Sequence, residues 1–210
     1  LPVSLVRQYQ AHGIVLQQGF GMSEAAPSIA TLGRDLALEK AGAIGRPLLH
    51  VEARIVDDAM REVAPETVGE LVIRGPNLMQ GYWKRPEATA EAFAGGWFHT
   101  GDLARRDADG DLYIVDRKKD MIIAGGYNIY PREVDEVLYE HPKVLDAVTV
   151  GVPDPYRGET VKAFVVVKPG EQVGDQEIIA FCKARLAAYK VPRLVEFRES
   201  LPKTAVGKIL

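Results

Sequence analysis

The chain has 210 residues, 47% of them apolar and 26% charged, with a formal net charge of −3. That is enough for one or two domains with a real core. It carries no basic patch of the kind nucleic-acid binders show, and no uninterrupted apolar run approaches the roughly 18 residues of a membrane helix. The chain opens Leu1-Pro2, without a starting Met and without a basic segment ahead of an apolar one. The expectation is therefore a fragment or a processed product with no signal peptide. The single cysteine, Cys182, cannot form an internal disulfide. It fits a reducing, cytoplasmic setting and falls on the apolar side of a predicted helix, as a structural residue.

In chain order, Leu5, Val6 and Tyr9 recur at helical spacing after Pro2, and Gly13 serves as the C-cap. Ile14-Val15-Leu16 reads as a short strand, followed by a glycine-containing loop from Gln18 to Glu24. Val51, Ala53 and Ile55 alternate with Glu52 and Arg54, and Val68 to Arg74 forms another strand ended by Gly75-Pro76. Pro86 begins a short helix through Phe93. Asp109-Gly110 turns the chain into a strand from Leu112 to Val115. The pattern changes across the charged connector Asp116 to Asp120. Met121-Ile122-Ile123 is a short strand, Gly125-Gly126 follows, and Pro131 opens a helix whose stripe is Val134, Val137 and Leu138. Strands at Val148–Val152 and Val161–Val167 come next. Asp175 caps a helix with Ile178, Ile179, Cys182 and Leu186 facing inward, and Leu194–Phe197 is the last strand. That order suggests a small α+β domain.

Three clusters carry chemistry. In Gln18-Gly19-Phe20-Gly21-Met22-Ser23-Glu24 the glycines allow close backbone approach to a ligand. Phe20 offers a face for a base, Ser23 offers a hydroxyl, and Glu24 is a hard oxygen ligand suited to Mg²⁺. The same residues also read as a plain strand-to-helix turn with a capping serine. In Thr100-Gly101-Asp102, a carboxylate beside a glycine turn can accept hydrogen bonds from a ribose diol. Arg117 can add a charge-assisted contact, although Asp102 taken singly is a turn residue. The third cluster is Pro202-Lys203-Thr204-Ala205-Val206-Gly207-Lys208-Ile209. It is not a Walker A loop, which would need glycine at 202 and serine or threonine at 209. Taken alone, its lysine is a solvated side chain.

In this order the clusters resemble the motif series of the adenylate-forming superfamily, which includes acyl-CoA synthetases, luciferases and the adenylation domains of peptide synthetases. Gly19 to Glu24 is similar to its Tyr-Gly-X-Thr-Glu element, with Phe20 and Ser23 in place of tyrosine and threonine. Gly69-Glu70-Leu71, Gly75-Pro76, Gly81-Tyr82 and Pro86-Glu87-Ala88-Thr89 resemble its central element. Thr100-Gly101-Asp102 and Asp116-Arg117 resemble its ribose elements, and Pro202 to Lys208 its terminal lysine loop. Met121 to Pro131, Val152 to Glu159 and Ala188-Tyr189-Lys190-Val191-Pro192 are similar to bacterial fatty-acid–CoA ligases.

The resemblance implies an α+β fold. Residues 1–116 would be the C-terminal part of a large domain, mostly a β-barrel-like subdomain. Residues 117–120 would be a hinge and 121–210 a small mobile C-terminal domain. It implies an AMP-forming acid–thiol ligase that joins a carboxylic acid, a fatty acid above all, to coenzyme A by way of an acyl-adenylate made from ATP. Residue by residue, Gly19, Phe20, Gly21, Met22 and Ser23 would bind nucleotide, with Asp102 and Arg117 on the ribose. Glu24 would hold Mg²⁺, Lys208 would act in adenylation, and Lys119 would be the hinge. Gly125, Gly126 and Tyr127 would meet coenzyme A. The family's Ser/Thr/Gly-rich phosphate loop has no counterpart here, and most of the acyl pocket would lie upstream. A missing N-terminal portion is therefore expected to leave apolar surface on residues 1–40, and the chain alone is expected to be inactive. A non-catalytic nucleotide- or CoA-binding fragment and an aryl-acid ligase are the other readings. Peripheral membrane contact and homo-oligomers stay open.

Overall fold

The computed structural model describes residues 3–205 and residue 209. The chain divides between Lys118 and Lys119 into two compact units.

In the unit 1–118, helix α1 (Val3–Ala11) buries Val6 and ends where Gly13 takes a left-handed φ of 75°. Ile14 to Leu16 do not form the expected strand. The run is β-branched and apolar, but no described strand pairs with it, and Ile14 and Val15 stay exposed. The expected loop after it holds a strand instead. β1 (Gly19–Gly21), β2 (Ser28–Thr31) and β3 (Arg46–Pro47) make a three-stranded antiparallel sheet.

A four-stranded antiparallel meander follows, β4 (Glu52–Val56), β5 (Gly69–Arg74), β6 (Phe98–Arg106) and β7 (Leu112–Arg117), with helix α2 (Pro86–Ala92) between β5 and β6. Pro86 stands in the first turn of α2, where its missing N–H is no loss. The meander lies open from β4 to β7, so the barrel-like expectation becomes open sheets among the described residues. Ile29, Ile55, Leu71, Ile73 and Phe98 form the main core between the two sheets. Each such side chain contributes about 1.5–3 kcal/mol by leaving water.

In the unit 119–210, β8 (Ile122–Ala124) and β9 (Tyr127–Ile129) form a hairpin whose turn is Gly125-Gly126. Helix α3 (Pro131–Tyr139) leads to β10 (Val144–Asp154), which pairs along its length with β11 (Gly158–Val167). Helix α4 (Asp175–Lys183) and β12 (Leu194–Phe197) complete the unit, β12 running parallel to β11. The sheet order is β10-β11-β8-β9, with β12 also on β11. Val134 and Leu138 from α3 and Ile178 and Cys182 from α4 meet Val161, Ala163 and Val165 of β11 in one cluster. The N-cap of α4 is Gly174, not Asp175. Asp175 sits one residue inside the helix and accepts a hydrogen bond from the Gln176 amide at 2.8 Å. Cys182 is fully buried, and burial pushes its thiol up to about 11, the behaviour of a packing residue rather than a nucleophile.

Candidate nucleotide and thiol sites

The first cluster is built by a close backbone crossing. The Met22 amide donates to the Pro27 carbonyl at 2.7 Å. A Cβ on Gly21 would lie 1.7 Å from that same oxygen, so only glycine fits there. After Gly21 the chain makes a short 3₁₀ turn, Ser23–Ala25, and leaves it through Ala26 at φ 46°. Ser23 is exposed and makes no side-chain cap; Met22 is the N-cap residue. Asn77 Nδ2 donates to the carbonyls of Ala25 and Ser28 at 2.9 and 3.0 Å, fixing the far side of the turn. Phe20, flanked by the two glycines, lines a groove of about 510 Å³ with Pro27, Ala30 and Leu48.

Glu24 gains a partner that motif spacing did not reveal. The Tyr82 hydroxyl donates to Glu24 Oε1 at 3.1 Å, and the Met79 amide donates to the Glu24 carbonyl at 2.8 Å. Burial and the Glu24 carboxylate together raise the Tyr82 phenol above its ordinary value, so it remains a donor. Tyr82 is held in turn by Thr89, whose Oγ1 accepts the Tyr82 amide at 2.9 Å and donates to the Arg85 carbonyl at 2.8 Å. Among the described residues no group of three or more His, Cys, Asp or Glu gathers as a metal cage. Glu24 thus offers a single carboxylate, which fits Mg²⁺ bound through one carboxylate and substrate phosphates.

The two residues of the second cluster come together. Asp102 on β6 is the register partner of Arg117 on β7. Asp102 is not the turn residue expected but lies inside β6, where Gly101 at φ 72° makes a local irregularity held by Thr100, whose Oγ1 donates to the Leu71 carbonyl at 2.7 Å and accepts the Asp102 amide at 3.1 Å. Thr100, Gly101 and Tyr82 line one cavity of about 770 Å³, along with His99, Glu70 and Lys118. Glu70 lies 3.3 Å from His99 Nδ1 and 3.1 Å from Lys118 Nζ. The Asp58 carboxylate, at 3.1 Å, and Glu70 raise the Lys118 ammonium against the opposing effect of burial. Sequence reasoning missed these three side chains as a group. The hint lay in their motif positions, Glu70 in the central element, His99 before Thr100 and Lys118 after Arg117.

Lys119 is exposed in a 3₁₀ turn, Lys118–Asp120. In the second unit Gly125 and Gly126 take φ 60° and 84°, the paired positive values of a two-residue type I′ hairpin. Neither glycine has an atom within 4 Å of where a Cβ would stand. The Tyr127 ring stacks on Tyr189 with centroids 4.5 Å apart. Lys208 lies outside the described residues.

A family model described as AMP-binding enzyme matches residues 1–83, and one described as AMP-binding enzyme C-terminal domain matches residues 133–208. The whole chain is 50% identical to 38% of a long-chain-fatty-acid–CoA ligase of Bacillus subtilis. It is 48% identical to 43% of a feruloyl-CoA synthase of Amycolatopsis. The o-succinylbenzoate CoA synthetase of Bacillus subtilis, solved with its acyl-adenylate intermediate, superposes with a TM-score of 0.92 at 38% identity over all of this chain and 43% of that one. A structure of that synthetase with ATP and magnesium ion gives 0.91 at 38% identity, over 100% of this chain and 43% of that one. The chain therefore spans about two-fifths of the length of the relatives it matches.

Proposed function

This chain belongs to the AMP-binding enzyme family, and from that premise we propose that it is the C-terminal part of an acyl-CoA ligase. The observation that carries the reading is the pairing of Asp102 with Arg117, on strands whose Thr100-Gly101 shares a cavity with the tyrosine that holds Glu24. Asp102 and Arg117 take the ribose, Phe20 stacks the adenine, and the Gly19–Ser23 backbone and hydroxyl meet phosphate. Glu24 would hold Mg²⁺, which would supply charge neutralisation at the phosphate oxygens.

In the first half-reaction a substrate carboxylate oxygen attacks the α-phosphorus. A P–O bond forms to the acid and the P–O bond to pyrophosphate breaks. In the second, a coenzyme A thiol attacks the acyl carbon. The C–S bond forms, the C–O bond to AMP breaks, and the thiol proton leaves to solvent. No protein nucleophile is needed, so the work is positioning and charge stabilisation. Lys208 bridges carboxylate and α-phosphate oxygens in the first step. Lys119 is the pivot between steps, and the Gly125-Gly126 turn leaves room for the pantetheine arm beside Tyr127.

The motifs in the second unit and the identity to the Bacillus ligase favour a fatty acid. The identity to the feruloyl-CoA synthase supports an aryl acid as the second reading.

The test uses the full-length protein that contains this chain. Acid-dependent ATP–pyrophosphate exchange is expected with fatty acids and not with ferulate; the reverse selects the aryl reading. Lys208→Ala is expected to lower exchange by about 10²-fold or more while sparing thioester formation from supplied acyl-adenylate. Exchange with no carboxylic acid at all refutes a ligase.

A further inference from the structure

We infer that Glu159 is a positioning residue for the thioester half-reaction, an inference that rests on the function proposed above. The Gly125-Gly126 turn has no side chains of its own, and nothing lies within 4 Å of its Cβ positions. Where it sits is therefore decided by what holds β8 and β9. These are three-residue strands, and an isolated two-stranded hairpin is marginal in water.

The hairpin joins the rest of its sheet at one register pair, Ala124 with Gly158. Two hydrogen bonds flank that pair. The Gly125 amide donates to the Arg157 carbonyl at 2.9 Å, and the Ile123 amide donates to Glu159 Oε2 at 2.7 Å. A strand this short would normally gain its second bond from backbone. Here a carboxylate from the facing strand supplies the acceptor, and a charged acceptor makes a stronger bond than a carbonyl.

The surroundings hold that carboxylate in place. Gly151, on β10, leaves it room: a Cβ there would stand 2.7 Å from Glu159 Oε1 and 3.2 Å from Ile122 Cγ1. The turn that presents Arg157 and Glu159 is fixed by Asp154 Oδ1, which accepts the amides of Tyr156 and Arg157 at 2.9 and 2.8 Å. These amides hold the Asp154 carboxyl below its usual range, so the turn stays pinned at neutral pH. Burial of Ile122, Ala124 and Ile129 in the core and, on the other strand, the Tyr127–Tyr189 stack restrain the hairpin as well, so the Glu159 bond sets the local register at Ile123 and the turn beyond it.

Glu159 touches no substrate. It sets the register and height of a turn that the thiol must pass, and a displacement of about 1 Å in such a positioning element can lower a rate by about 10²-fold.

The experiment uses the full-length protein with Glu159→Ala and Glu159→Gln. Adenylation is followed by ATP–pyrophosphate exchange. Thioester formation is followed in single turnover from enzyme-bound acyl-adenylate, and amide hydrogen exchange is read at residues 122–129. Glu159→Ala is expected to keep pyrophosphate exchange within about two-fold and to lower thioester formation by about 10²-fold, with faster hydrogen exchange in the hairpin. Glu159→Gln keeps an oxygen acceptor and is expected to restore most of both. The inference is overturned if the alanine variant leaves thioester formation unchanged or lowers both half-reactions equally. It is also overturned if glutamine is as poor as alanine. If the wild-type protein makes no acyl-adenylate, the functional reading fails on its own. Unchanged hydrogen exchange at Ile123 and Gly125 in the alanine variant would then still refute the positioning role.

Discussion

In the unit 119–210, residues from α3, α4, the β8–β9 hairpin, β10 and β11 join one buried cluster. In the unit 1–118 the buried apolar residues divide among three, one around Ile29, Leu71 and Phe98, one around Leu32 and Ala43, and one around Val72 and Trp97. Tyr9, Ile14, Val15 and Leu38 are exposed, the apolar surface expected on the first forty residues, but the second unit also exposes Leu145, Tyr156, Leu194 and Phe197, so the units differ in how the core is divided and not in exposed apolar surface. A single cluster is what an autonomous domain needs. A core divided among three clusters is expected to unfold less cooperatively than a single one.

The sharpest way to break this contrast is a cavity in each unit. Leu138 and Leu71 are both fully buried. Leu138→Ala is expected to destabilise by about 2–5 kcal/mol, seen as a cooperative shift in the denaturant midpoint of residues 119–210 expressed alone. Leu71→Ala in residues 1–118 alone is expected to act on a unit that already melts broadly. Cooperative unfolding of residues 1–118 would erase the difference.

A second contrast concerns the two glycine motifs. Gly21 is required by packing, since its Cβ would meet the Pro27 carbonyl. Gly126 is required only by conformation, since its surroundings are open and its φ is 84°. Gly21→Ala is expected to cost at least the 1–3 kcal/mol or so of an overpacked site, and with it nucleotide affinity. Gly126→Ala is expected to cost about 1–2 kcal/mol, and Gly126→Asn less, because asparagine tolerates the left-handed region. Thermal melts of the four proteins, wild type included, check the ranking. Equal losses for the two alanines would show that the Gly21 crossing relaxes.

The same distinction governs how much was legible in the sequence. α3 and α4 could be read because Val134, Leu138, Ile178 and Cys182 repeat at helical spacing and are the residues buried. β12 was visible as an apolar run beside turn residues. β9 was hidden, because Tyr127-Asn128-Ile129 follows two glycines and becomes a strand only through its pairing with β8. β1 was hidden for the same reason, and Ile14–Leu16 misled because strand propensity without a partner makes no strand. In the site, Asp102 and Arg117 were recognisable as types. Their cross-strand register and the Glu70–His99–Lys118 group exist only once β5, β6 and β7 are laid side by side, and the Tyr82–Glu24 bond only once the loop after β5 meets the Ser23–Ala25 turn.

The smallest expected difference between the units lies in their response to acid. In the second unit His141 is almost fully buried, its ring edge-on to Phe181 at 4.7 Å, and its Nδ1 accepts the Lys143 amide at 3.3 Å. Burial lowers its pKa. Glu177, 3.7 Å away, opposes that shift, while Lys143, Arg185 and Lys168 reinforce it. The folded unit therefore keeps the imidazole neutral where the unfolded chain takes up a proton. The stability this provides is full above about 6.5 and is lost as pH falls through the lower, folded value.

In the unit 1–118 the acid-side shifts fall on carboxylates. At Asp107, burial is outweighed by hydrogen bonds from Lys40 and from the amides of Asp111 and Asp109. At Asp57, the Arg61 amide and side chain dominate. Both pKa values are lowered, so their contribution holds above about 3.9 and is lost only as pH falls through the folded values. Urea midpoints between pH 7 and 5 are thus expected to fall for residues 119–210 and to stay level for the contribution of Asp57 and Asp107. His141→Gln is expected to flatten the slope of the second unit. A slope that survives the substitution would move the acid sensitivity to another group in that unit.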